Sequence, residues 1–194
     1  MRSAPLALLV ACVAVSLSAA AALKEGDDAP AFTAQASFAG AASPYSLKEA
    51  LSKGPVVVYF YPSAYTGGCN QQAHAFAENH EKFAAAGASI IGVSLDSIQR
   101  LNDFSKDPEY CNGKFPVASD ADGSIAKSYE LSVMKGDPKY KDTRGAPIGH
   151  DFAERTTFVV TPNGKIVATV GGVDPKTNVA KALEVVQGLA GKGR

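Results

Sequence analysis

Pro62, Thr66 and Cys69 stand at fixed spacing in the stretch Val56–His80, VVVYFYPSAYTGGCNQQAHAFAENH. Of these, cysteine can be a nucleophile, and it acts as the thiolate. The run Val56–Tyr61 is β-branched and aromatic, reads as a buried strand, and stops at Pro62. From Ala73 the apolar residues Ala73, Phe76, Ala77, Phe83 and Ala84 fall on one face of a helix. Cys69 therefore opens that helix out of a short loop, Ser63–Gly68. The first turn of a helix carries unpaired N–H groups and the positive end of the dipole, and both favour an anion. The spacing sets a thiol where its ionised form is favoured. The competing reading is a buried, inert cysteine.

The other candidates are fewer. Arg155 directly precedes an apolar strand, so its side chain can be held, and a guanidinium stays cationic. On its own it reads more readily as a surface arginine paired with Glu154. His74 lies five residues after Cys69, about 140° round the helix, too far for direct contact. His80 and His150 are expected to face solvent, and Tyr59 and Tyr61 to pack. Cys69, His74 and His80 lack metal-ligand spacing, so neither a metal nor a cofactor is expected.

The elements that must position these residues follow from pattern. Thr33–Phe38 alternates weakly and suggests an edge strand, with a turn at Gly40–Ser43 and a short strand at Tyr45–Leu47. Ser46 can cap a short helix over Leu47–Ser52. The Cys69 helix is expected to end near Ala86-Gly87. Ser89–Leu95 is the next buried strand, and Asp96 or Ser97 caps a helix that Asp107-Pro108 ends. Cys111 falls in the loop Glu109–Lys114, before a short strand at Phe115–Ala118 and a short helix at Ser124–Tyr129. Leu131–Ala153 has no clean period and reads as a long surface loop. Thr156–Val160 and Lys165–Val170 form a hairpin across Thr161-Pro-Asn-Gly164. A last helix starts at Asp174-Pro175, with Val179, Leu183, Val186 and Leu189 as its buried stripe. This order predicts an α/β fold with a mixed sheet.

Composition bounds the function. The chain has 194 residues, and its 19 basic residues balance 19 acidic ones. No basic patch suggests a nucleic-acid or membrane-surface partner. Residues 1–22 have the layout of a secretory signal peptide: a positive start, an apolar stretch over Leu6–Leu17, and small residues through Ala22. A membrane anchor and a lipoprotein signal at Cys12 are the alternatives. Residues 23–194 then form one domain, exported to a periplasm, the exterior or an organelle lumen. Cleavage leaves two cysteines, Cys69 and Cys111. In an oxidising compartment a pair is ordinarily a structural bridge. A secreted, non-enzymatic domain stapled by Cys69–Cys111 is thus a rival reading. A general thiol–disulfide oxidoreductase is another, but Cys69-Asn-Gln-Gln72 lacks its Cys-x-x-Cys.

Pro62, Thr66 and Cys69 form P-x-x-x-T-x-x-C after a strand and at the start of a helix. This resembles the active-site signature of the peroxiredoxins. Ala29–Phe32 (APAF) and Glu154–Ile166 (ERTTFVVTPNGKI) add to the likeness, which runs from Leu23 on and is closest to the bacterioferritin-comigratory, or Q, subfamily. The resemblance implies a thioredoxin-like fold, a central mixed β-sheet flanked by helices with an N-terminal hairpin extension. It implies a thiol peroxidase acting on hydrogen peroxide and organic hydroperoxides. Cys69 would be the attacking thiolate, Arg155 its cation, Thr66 an orienting hydroxyl and Pro62 the pocket cover. A thioredoxin-like protein would be the reductant, and the chain a monomer or weak dimer. The chain departs from the family pattern in several places. Many relatives carry Thr-Pro-Gly-Cys-Thr, where this chain has Thr66-Gly67-Gly68-Cys69-Asn70. The frequent glutamate three residues after the cysteine is Gln72. The second cysteine of several Q-type members, five residues after the first, is His74. Cys111 then becomes the candidate resolving cysteine.

Overall fold

The computed structural model describes residues 21–192. The leader expected over residues 1–22, Cys12 included, lies outside the described residues but for Ala21 and Ala22. In chain order the elements are β1 (Thr33–Phe38), β2 (Ala41–Ser46), α1 (Leu47–Leu51), β3 (Val56–Phe60), α2 (Gly67–Ala85), β4 (Ser89–Ser94) and α3 (Ile98–Lys106). Then come β5 (Val117–Ser119), α4 (Ser124–Ser128), β6 (Val133–Met134), β7 (Phe152–Ala153), β8 (Thr156–Val160), β9 (Ile166–Gly171) and α5 (Pro175–Lys192).

β3 is the centre of the molecule. It pairs in parallel with β4 and antiparallel with β8, and all five of its residues are buried. A strand covered on both faces needs a continuous apolar run, which VVVYF supplies. The side-chain alternation of a strand divides that run between two cores. Val57, Tyr59 and, just beyond the strand, Tyr61 join one cluster with residues of α2, α3 and α5. Val56, Val58 and Phe60 join the other, with α1 and α4. Gly92 in β4 makes room for the first: a Cβ there would lie 2.7 Å from the Tyr59 ring. That ring stacks on Tyr61 and Phe76, with centroids 5.3 and 4.5 Å away.

The full sheet runs β2-β1-β5-β4-β3-β8-β9, with parallel pairing in its middle and antiparallel pairing on both flanks. It is the mixed, helix-flanked sheet expected, with the N-terminal hairpin added. The Cys69 helix ends as expected. The Gly87 N–H donates to Ala84 O and the Ala88 N–H to Phe83 O, with Gly87 at φ +78°.

Some expectations need correcting. Thr33–Phe38 is not an edge strand, because β5 pairs with its inner side and β2, on its outer side, takes the edge. β2 begins at Ala41 and stops at Ser46, so Leu47 opens α1 rather than closing a strand. Of the two caps expected for α3, Ser97 is the one used, its hydroxyl accepting from Arg100 N. The 131–153 segment includes a short β6–β7 ladder. On α5, Asn178 and Ala182 share the fully buried stripe with Val179 and Val186, while Leu183 and Leu189 are half-buried.

Candidate active site

The site is assembled where β3 runs out. Register carries Arg155 there: Thr156 pairs with Phe60, so the residue before Thr156 meets the chain just past the end of β3. The loop Pro62–Thr66 then turns into α2. Thr66 is the N-cap, with extended backbone (φ −114°, ψ 148°), but no side chain caps the helix. Its hydroxyl instead donates to Ser63 O at 2.8 Å, which leaves the oxygen lone pairs free to accept. The helical ladder starts with Asn70 N donating to Thr66 O. The amides of Gly67, Gly68 and Cys69 precede it and have no partner inside the helix.

Cys69 is the third residue of α2 and 2% exposed. Arg155 Nη2 lies 3.2 Å from its Sγ. Gly68 permits this approach, since a Cβ on it would stand 3.1 Å from Nη2. Arg155 is held from behind by neutral groups. Its Nη1 donates to Gln72 Oε1. Gln72 Nε2 donates to Asn178 Oδ1 at 2.9 Å, and Thr157 Oγ1 donates to the same oxygen at 2.6 Å. Asn178 Nδ2 donates to Val170 O at 2.8 Å. Gln72, Thr157 and Asn178 are fully buried.

The loop in front of Cys69 is held by charge. Asp96 is buried, and its Oδ1 accepts from Ser63 Oγ at 2.9 Å and His150 Nε2 at 2.8 Å. Its Oδ2 accepts from Ala64 N at 2.7 Å and Ser94 Oγ at 2.8 Å. Arg100 Nε stands 2.9 Å from Oδ1 as an ion pair, and Arg100 Nη2 reaches Asp142 Oδ2 and Ala64 O, both at 2.8 Å. Burial alone raises a carboxyl pKa, but the bonds and charge of His150, with Ala64 N–H and Ser94, outweigh it and hold Asp96 below the usual range. Burial likewise opposes the imidazolium, yet Asp96 outweighs it and raises the His150 pKa. His150 is therefore not solvent-facing as expected. It closes the 131–153 segment onto the loop before Cys69.

Tyr65 adds to this clamp. It adopts φ +59°, uncommon for a bulky residue. Arg144 lies 3.3 Å from its ring centroid, and Thr143 N and Oγ1 both donate to its carbonyl, at 2.8 and 2.9 Å. Pro62, half-buried, opens the same loop.

Cys111 is fully buried and, like Cys69, a free thiol. Burial pushes its pKa well up, and Asp107 adds to this. Both thiols belong to the cluster around Tyr59 and Tyr61. The Cys111 loop is tied down by Tyr110, stacked on Phe104 at 5.5 Å and edge-on to Tyr65 at 5.7 Å. His74 Nδ1 lies 2.9 Å from Glu109 O, so this histidine joins α2 to the Cys111 loop and not to Cys69.

The structure thus gathers Cys69, Arg155, Thr66 and Pro62 at one helix start and keeps Cys111 in the core beside it. Among the described residues no cluster of three or more His, Cys, Asp or Glu side chains could hold a metal ion. A model of the AhpC/TSA family matches residues 25–169. The chain belongs to that family. Peroxiredoxin Bcp of Bacillus subtilis is 30% identical over 139 residues, covering 71% of this chain and 80% of its own. Chloroplastic peroxiredoxin Q of Sedum lineare is 32% identical over 147 residues, 75% of this chain and 70% of its own. The crystal structure of peroxidoxin BcpB from Mycobacterium tuberculosis matches with a TM-score of 0.71 at 28% identity, over 86% of this chain and 98% of that one. The chain is similar to peroxiredoxins of the Bcp and Q kind, and its sheet is the thioredoxin-like one of that family.

For a peroxiredoxin of this kind the reading from sequence missed three groups. Asn178 is a polar residue on an otherwise apolar helix stripe, and that was a usable signal. Asp96 and His150 stand 54 residues apart, and neither carries a mark of the other.

Proposed function

We propose that this thiol-dependent peroxidase reduces hydroperoxides at Cys69, with Arg155 as the cation that holds the thiolate. The Arg155–Sγ contact of 3.2 Å at the uncapped start of α2 carries the reading. Cys69 S⁻ attacks one peroxide oxygen. The O–O bond breaks, the sulfur is oxidised to the sulfenic acid, and the other oxygen leaves as RO⁻ to take a proton. The free amides of Gly67–Cys69 and the guanidinium face the oxygen on which charge develops. Thr66, whose hydroxyl already donates to Ser63 O, accepts from the peroxide O–H. Pro62 ends the strand without adding an unpaired N–H.

Cys111 is the resolving residue. Its thiolate attacks the sulfenic sulfur, the S–S bond forms as the S–O bond breaks, and the hydroxide leaves as water by taking a proton from solvent. Buried as it is, it can ionise only once its loop opens to water. A bridge also needs the Cα atoms within about 7 Å, so the first turn of α2 or the Cys111 loop must loosen. A thioredoxin-type dithiol returns the pair by exchange. Residues 1–22 act as an export leader on this reading, and the reductant is one that serves a periplasm, the exterior or an organelle lumen.

Intact mass and peptide mapping before and after one equivalent of hydrogen peroxide test the cycle. A loss of two hydrogens mapped to Cys69–Cys111 is expected. One added oxygen on Cys69 alone would remove Cys111 from the cycle. Unchanged mass with peroxide left over would overturn the peroxidase.

A further inference from the structure

Arg155 can only donate hydrogen bonds, so whatever holds it must present an acceptor. Gln72 carries an amide, which has an accepting end and a donating end of nearly the same shape. Turned the wrong way, its NH₂ would face the guanidinium and repel it. We propose that Asn178, on α5, is a positioning residue for Arg155, fixing which end of the Gln72 amide the guanidinium meets. The inference rests on Cys69 and Arg155 being the reacting pair.

The bonds have one polarity, and it starts at a group that cannot turn round. Val170 O is a backbone acceptor, so it takes the Asn178 NH₂. Asn178 Oδ1 must then point the other way, where it accepts from Gln72 Nε2. Gln72 Oε1 is left facing Arg155 Nη1. Each amide is set by the one behind it, and Gln72 and Asn178 are fully buried, away from water that could substitute. The chain also explains why glutamine, not glutamate, suits position 72 here. A carboxylate would set an oxygen against Asn178 Oδ1. Arg155 makes no ion pair among the described residues, so its charge is left to the sulfur. Thr157 Oγ1 also bonds Asn178 Oδ1 but stands outside this line.

The test is the pH profile of Cys69 alkylation by iodoacetamide in a Cys111→Ser parent. Single-turnover peroxide consumption and thermal unfolding are measured beside it. Asn178→Ala frees the Gln72 amide to turn. The half-maximal pH of alkylation is expected to rise by about one unit, and the peroxide rate constant to fall about tenfold or more. Thr157→Val loses a buried hydrogen bond but keeps the polarity, and its profile and rate should stay with the parent whatever its melting temperature. A folded Asn178→Ala with the parent profile would overturn the proposal, as would a Thr157→Val that moves equally far. Should Asn178→Ala not fold, Gln72→Glu carries the test, and a profile superposed on the parent overturns the idea. Alkylation needs no peroxide. A parent that alkylates normally yet consumes none would sink the peroxidase reading and leave the positioning role standing.

Discussion

Two polar networks flank the start of α2, and they are built from opposite materials. Behind Cys69, Arg155 is held by two amides oriented from a backbone carbonyl. In front, the loop Ser63–Tyr65 is held by Asp96, His150, Arg100 and Asp142, all ionisable. The difference follows from what each must do. The rear network aims a charge, and a carboxylate there would spend that charge on itself. The front network pins backbone against a segment distant in sequence, and charged bonds do that more strongly than neutral ones. One network should therefore set rate and the other stability.

The largest expected effect tests the front network. Asp96→Ala takes the carboxylate from between His150 and Arg100, leaving Asp142 to Arg100 alone, and strips acceptors from Ser63, Ser94 and Ala64 N. Breaking a buried ion pair from one side costs about 3–5 kcal/mol, read as a drop in the urea midpoint. The protein still folded should keep most of its peroxide rate. Equal losses of rate and stability would erase the distinction.

Arg155→Ala is the mirror experiment. Removing one preorganised donor from a reacting centre costs about 10²–10³-fold in rate, and stopped-flow peroxide consumption should show it. The urea midpoint should move less than for Asp96→Ala, since no buried carboxylate is left without its counter-charge. Gly68→Ala sharpens this case without deleting anything. Its Cβ would meet Nη2 at 3.1 Å and Pro175 Cγ at 3.5 Å, so the guanidinium must give by a few tenths of an ångström. A displaced clamp costs rate steeply, here about tenfold. A parent-like rate would mean that the guanidinium has slack.

The rear network's working end was legible in the sequence because it is local. Pro62, Thr66 and Cys69 sit within one strand–loop–helix unit, and Arg155 is placed by the hairpin that Thr161-Pro-Asn-Gly164 announces. β3, β4, α2 and α5 were legible for the same reason: each states its own period. What stayed hidden needs two distant pieces read together. Asp96 had a sufficient local explanation as the cap of α3, a task that Ser97 performs. His150 sat in a segment without period, and such segments are ordinarily solvated. The place of β1 inside the sheet also depends on a partner, β5, whose paired residues lie 82 and 80 positions further on, Ala36↔Ala118 and Ser37↔Val117. Pairing energy between distant strands leaves no trace in either strand's own pattern.

The smallest effect separates the networks by pH. His150 offers both ring nitrogens to acceptors, Nε2 to Asp96 at 2.8 Å and Nδ1 to Asp151 O at 2.7 Å, and only the imidazolium can donate at both. Arg100 opposes that charge, while Asp151, itself paired with Lys135, adds to its support. The His150 pKa is raised in the fold, so its stabilisation is complete below the unfolded value of about 6.5 and is lost as pH climbs through the raised one. The Asp96 pKa is lowered, so its share is present above about 3.9 and is lost as pH falls through the lowered value. Between these limits the front network is at full strength. Comparing His150→Gln with the unsubstituted chain by urea unfolding should therefore give a gap of about 1 kcal/mol near pH 5, shrinking as pH rises past the His150 transition. No side chain that orients Arg155 carries a titratable proton, so the Thr157→Val stability gap, which reports a lost bond to Asn178, should stay flat over it. A His150→Gln gap that is also flat would mean that the imidazole holds Asp96 as a neutral donor, and the contrast between a neutral clamp and a charged one would reduce to a difference in position alone.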